Sequence, residues 1–190
     1  MNYPFKHFNK KSLVKIILFL PLMTSLLPFN IKSANANLEF QWDTNSNYKK
    51  LKYHQKRPKK NSKNKIFFFF RPSDRKTGLL SINIKFPEKF KSSIKTKNIS
   101  ICKVKIGGYN SRTKCLENIP SSIELDNETN KVDIFPITPI PSSKDSYAVV
   151  FNVVNPQKSG LYQFHSFGKS SGSIPVSRYL GSWTIKIDQQ

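Results

Sequence analysis

Residues 147–164 read YAVVFNVVNPQKSGLYQF. From Tyr147 to Val154 the chain is apolar on both faces except at Asn152, as expected of a strand in the middle of a sheet. Asn155-Pro156-Gln157-Lys158-Ser159-Gly160 follows as a turn. Tyr162 and Phe164 then alternate with Gln163 and His165, the period of a half-buried strand. A strand, a tight polar turn and a second strand point to an antiparallel β fold.

The same pattern continues outward in both directions. Downstream, Trp183, Ile185 and Ile187 alternate with Thr184 and Lys186. Upstream, residues 66–70 (IFFFF) form a short apolar run stopped by Arg71-Pro72. Leu80, Ile82, Ile84 and Phe86 alternate with Ser81, Asn83 and Lys85, and Cys102, Val104 and Ile106 with Lys103 and Lys105. Ile123 and Leu125 precede a turn-like stretch at residues 126–130, and Val132 and Ile134 follow it. A helical turn is expected at residues 87–95, but long helical periodicity and internal repeats are missing. The proline-rich residues 135–141 cannot sit in a central strand and read as a crossing connection or an edge. The expectation is an all-β domain over residues 66–190, a single immunoglobulin-like β-sandwich of about seven to nine short antiparallel strands.

The amino terminus reads differently. Lys6, Lys10 and Lys11 precede an apolar run from Leu13 to Phe29, and Ser33-Ala34-Asn35-Ala36 follows. A basic start, an apolar middle and small residues at Ala34 and Ala36 are the parts of a secretory signal peptide, cut after Ala36. An uncleaved anchor fits less well. A spanning helix needs about 20 mainly apolar residues, and this run is shorter and holds Pro21 and Pro28. Export to the periplasm or cell surface is therefore expected. There Cys102 and Cys115, separated by a stretch with Gly107, Gly108 and Asn110 that suits a chain reversal, read as a disulfide.

The chain of 190 residues carries a formal charge of +21. Residues 37–65 hold nine basic side chains (Lys49, Lys50, Lys52, Lys56, Arg57, Lys59, Lys60, Lys63 and Lys65) and the acids Glu39 and Asp43. High charge and low hydrophobicity predict a largely disordered tail, most clearly over residues 55–65. Such a tail is drawn to anionic surfaces. In an exported protein that means an anionic membrane surface or a wall polymer rather than nucleic acid. A second lysine-dense stretch covers residues 85–105. The basicity has a competing source, since lysine outnumbers arginine 27 to 5, and lysine and asparagine both follow A/T-rich codons. Phe40, Trp42, Tyr48, Leu51 and Tyr53 make residues 38–53 a docking segment for an envelope protein partner.

Residues suited to catalysis are few. Beyond the signal only His54 and His165 remain, one in the tail and one on a strand among aromatics. Glu124, Asp126 and Glu128 cluster at a turn without the spacing of a calcium loop. Arg71-Pro72-Ser73-Asp74-Arg75 has a serine beside an acid but no nucleophile-elbow glycines. No phosphate-cradling loop appears. The expectation is a protein that is not an enzyme, with no cofactor, no metal and no small-molecule substrate; the alternative is an enzyme of unrecognised type, which a deep pocket gathering His165 and carboxylates would reveal.

Asn155-Pro156, then Ser159-Gly160-Leu161-Tyr162-Gln163-Phe164, and later Arg178-Tyr179-Leu180-Gly181 resemble the cyanobacterial domain-of-unknown-function 2808 family. The resemblance covers residues 68–187, and residues 38–43 look like an extension that some members carry. It implies an exported β-rich envelope protein and no particular activity. The motif residues read structurally: Gly160 and Gly181 as turn glycines, Tyr162, Phe164 and Tyr179 as core aromatics.

Overall fold

The computed structural model describes residues 49–170 and 176–189. The proposed signal, its cleavage residues Ala34 and Ala36, and residues 38–48 of the docking segment lie outside them. Ten strands are formed: β1 Tyr53–Gln55, β2 Lys63–Phe70, β3 Leu79–Lys85, β4 Ile99–Lys105, β5 Lys114–Ile119, β6 Ser121–Asp126, β7 Lys131–Pro136, β8 Tyr147–Val154, β9 Gly160–Ser170 and β10 Ser177–Ile187. They make two antiparallel sheets, ordered β1-β2-β8-β4-β5 and β10-β9-β3-β7-β6. The β-sandwich is thus the fold, and β8 is the central strand that its sequence requires.

Alternation decides which side chains fill the space between the sheets. Ile66, Phe68 and Phe70 of β2 face inward and join Phe151, Phe164 and Trp183 in the main core. The rings of Phe68 and Trp183 are 4.7 Å apart, and Phe68 and Phe164 are 4.9 Å apart. Phe67 and Phe69 point to the other face of the same sheet, where they are buried with Ala148, Val150, Cys102 and Val104. A strand buried on both faces explains the unbroken apolar run at residues 66–70. The Cys102–Cys115 disulfide joins β4 to β5 on that second face.

The connections follow the expected chemistry. A 3-10 turn at Glu88–Ser93 places Phe90 against Tyr162 and Phe164, with ring centroids 5.3 and 5.2 Å away. Phe135 and Pro136, expected in a connection or an edge, instead end the interior strand β7: they pair with β6 beyond the last residue that β3 reaches, so the missing proline N–H breaks no ladder bond to β3. The stretch then returns through Ile140, whose backbone exchanges two hydrogen bonds with Leu79. Strand β5 escapes the pattern reading because most of its side chains are exposed, so nothing in it repeats.

The structure corrects the expected disorder of residues 55–65 and the domain start at residue 66. Residues 49–62 form a clasp between the edges of the two sheets. Toward β10, the Leu51 N–H donates to the Ser182 carbonyl at 2.8 Å, and Ser182 N–H donates back to the Lys49 carbonyl at 2.8 Å. Further along, Lys60 N–H donates to Asp188 and Asp188 N–H to Pro58, at 3.0 and 2.8 Å. Toward the other sheet, β1 pairs with β2. The Lys52 carbonyl accepts from both Phe69 N–H and the Trp183 indole, each at 3.1 Å. Composition predicts disorder because it counts apolar area, whereas this segment is ordered by backbone groups that two open sheet edges leave unpaired. Residues 49–53 of the docking segment are accordingly spent on their own sandwich, with Leu51 buried in its core.

Candidate anion-binding cleft

At one end of the sandwich a cleft of about 590 Å³ gathers Lys56, Arg57, Lys63, Lys65, Lys95 and Lys97. Lys63 and Lys65 project from the outer face of β2, opposite Val154 and Asn152 of β8. Lys56 and Arg57 come from the loop between β1 and β2, and Lys95 and Lys97 from the connection between β3 and β4. Ser92, Ser93, Asn98 and Asn152 lie among the cations, and no carboxylate is part of the lining. The Asn152 amide donates to the Asn98 carbonyl at 3.4 Å, which ties the two walls together.

The floor of the basic loop is a pair of buried amides. Asn64 sits on β2 with its side chain inward, and its Nδ2 donates to Asn155 Oδ1 at 3.1 Å. Asn155 Nδ2 donates to the Arg57 and Lys59 carbonyls at 2.8 and 2.7 Å. The Arg57 N–H closes the set by donating to Asn64 Oδ1 at 3.0 Å. A buried amide left unpaired is costly, so these partners hold one another and the loop that carries Lys56 and Arg57. Concave walls of one sign focus the potential and concentrate counter-ions inside. Such a site can hold an anion.

Of the cations named from the sequence, the fold therefore unites Lys56, Arg57, Lys63 and Lys65. Lys49, Lys50, Lys52, Lys59 and Lys60 do not line the cleft. Lys49 instead donates to the Asp74 carbonyl at 2.8 Å. The reading by tail missed Lys95 and Lys97; the signal was the second lysine-dense stretch, whose placement no local pattern fixes.

The other candidates are explained by packing. His54 stands beside the Phe67 ring at 6.0 Å, and burial, with Lys56 nearby, pushes its imidazole below the ordinary value. His165 Nδ1 lies 2.7 Å from Ser182 Oγ, which is itself 2.6 Å from the Tyr179 hydroxyl. Arg71 clamps the buried Asp74 through paired 2.9 Å bonds, so residues 71–75 are a turn. The Thr129 hydroxyl, then the N–H groups of Thr129 and Glu128, donate to Asp126 and hold its carboxyl below the usual range. Among the described residues no group of three or more His, Cys, Asp or Glu side chains gathers to hold a metal ion.

The family-motif residues also find their places. Tyr162 and Phe164 are core aromatics, and the Tyr162 hydroxyl donates to the Lys158 carbonyl at 2.7 Å. Tyr179 is not; it is half-buried against the Phe167 ring. Gly181 is not in a turn but at a bulge in β10, with φ +141°. A β-carbon there would come within 2.6 Å of the Lys49 carbonyl oxygen, so the glycine admits the clasp.

Residues 40–187 match the model of a family described as protein of unknown function (DUF2808). The chain belongs to this family. Comparison with curated protein sequences gives no match. Among solved structures, the crystal structure of BslA, a bacterial hydrophobin, is similar at TM-score 0.46 and 15% identity, covering 76% of this chain and 98% of that one. The collagen-binding domain of a Staphylococcus aureus adhesin is similar at TM-score 0.38 and 16% identity, over 70% of this chain and 95% of that one. A family 123 glycoside hydrolase from Clostridium perfringens reaches TM-score 0.26 and 13% identity, over 74% of this chain and 28% of that one. Likenesses this distant transfer no function to the family member described here.

Proposed function

We propose that this protein is an exported, non-catalytic β-sandwich module of the periplasm or cell surface that associates with an anionic component of the envelope through its basic cleft. One observation carries the reading: three separate chain segments bring six cations to one concave surface whose lining holds no carboxylate. Export rests on the basic, apolar and small-residue order of residues 1–36, and the Cys102–Cys115 disulfide is in keeping with an oxidising compartment. Codon bias would scatter lysines; it gives no reason for them to converge without an intervening acid.

The test is co-sedimentation of the mature protein with isolated envelopes and wall sacculi across a salt series. Deleting the whole basic segment would remove the clasp and confound the result, so the comparison variant carries Lys63→Gln, Lys65→Gln and Lys97→Gln. Binding that falls with salt and is lost in the variant supports the cleft, since exposed charges are screened beyond about 8 Å at physiological salt. Binding that the variant retains in full overturns it.

A further inference from the structure

Resting on that reading of the cleft, we infer that its ligand is a segment of an acidic glycan, a chain of sugars bearing carboxylate, sulfate or phosphate groups, rather than the surface of a lipid bilayer. Shape is the first ground. The cations come from both sides of β8, Lys63 and Lys65 from β2 and Lys95 and Lys97 from the connection that leads into β4. A bilayer is broad and nearly flat, so it would meet only the rims. A strand of sugars can lie along an open groove of this kind, and about 590 Å³ has room for a few rings.

Lining chemistry is the second ground. Proteins that lie on membranes couple basic residues to apolar side chains that enter the acyl boundary. Here the cleft offers Val154 as its only exposed large apolar side chain. What stands between the cations is amide and hydroxyl: Asn98, Asn152, Ser92 and Ser93. Among the described residues, the Asn98 amide and the Ser92 hydroxyl make no side-chain hydrogen bond of their own, so both are available to sugar hydroxyls. The lining has no aromatic ring. A neutral sugar would therefore find no stacking platform, and charge must supply the affinity, which selects acidic glycans over neutral ones.

The experiment uses the mature chain at low salt with three probes: a short oligogalacturonate, a neutral dextran oligomer, and phosphatidylglycerol–phosphatidylcholine vesicles. Two variants accompany it. Lys63→Gln with Lys97→Gln removes charge from both sides, and Asn98→Ala with Asn152→Ala removes amides without changing charge. Unchanged denaturant midpoints establish that both variants fold.

The expected result is saturable one-to-one binding of the oligogalacturonate, no binding of dextran, and no vesicle capture. Affinity drops about tenfold or more in the charge variant, the scale of lost charge-assisted hydrogen bonds, and also falls in the amide variant. Vesicle capture without glycan binding overturns the inference; if that capture is lost in the charge variant, the basic-cleft reading survives. Equal binding of glycan and vesicles, indifferent to the amide variant, overturns it in favour of general charge attraction. Failure to bind either anionic probe overturns both readings.

Discussion

Residues 66–70 and residues 49–62 lie a few positions apart, and both are part of the sandwich, yet they are ordered by different forces. The first is an apolar run in which every side chain is buried at 2% exposure or less. The second is basic and largely exposed, anchored by Leu51, by hydrogen bonds to β10 and by the Asn64–Asn155 pair. Burial of side chains is a property that a sequence advertises. Completion of a neighbour's backbone ladder is not, because any residue with an N–H and a carbonyl can do it. A segment can therefore read as disordered by composition and still be a structural part of the fold.

The largest effect should come from the apolar side. Phe68→Ala opens a cavity beside Trp183 and Phe164 and is expected to cost about 3–5 kcal/mol, read from the denaturant midpoint. A loss near zero would break the contrast by showing that the β2 aromatics are not the main support. Next, Asn155→Ala removes the buried acceptor of the Asn64 amide and the donor to the Arg57 and Lys59 carbonyls, at an expected cost of about 1–3 kcal/mol. Its signature is local. Amide hydrogen exchange should speed up over residues 57–62 well before the core strands respond.

Charge removal should do little to the fold. Lys63→Gln with Lys97→Gln changes exposed side chains, so the stability change should stay within about 0.5 kcal/mol while binding to the anionic ligand collapses. A large stability loss would mean that the cleft cations are structural. The smallest effect belongs to Asp145, whose carboxyl the Lys103 ammonium, 2.9 Å away, holds below its ordinary value of 3.8. A depressed carboxylate pKa stabilises the fold above the unfolded value and loses that contribution as pH falls through the folded one. Lys103→Met should raise the Asp145 midpoint toward its ordinary value in an NMR titration, with Ser143 and Arg75 still holding it down, and flatten the stability profile below pH about 4.

Much of the architecture was legible from residue types. The two-faced burial of β8, the alternation in β3, β9 and β10 and the disulfide partners all depend on local pattern. Strand β5 was not legible, because an edge strand with exposed side chains leaves no period to detect. The role of Gly181 was misread as a turn because its need for space comes from Lys49, far away in the chain. For the candidate site, the sequence offered the basic residues and could not say which of them meet.

The all-β class, the central position of β8, the pairing of the cysteines and the overall excess of positive charge can be read from the residues alone. These follow from side-chain periodicity and composition, which act over a few residues at a time. Folding in three dimensions adds that residues 49–62 clasp two sheet edges, that Asn155 supports the loop bearing Arg57, and that Lys95 and Lys97 join Lys63 and Lys65 at one cleft. Those arrangements depend on which distant backbone groups remain unpaired after the sheets form, and no local pattern of side chains encodes that.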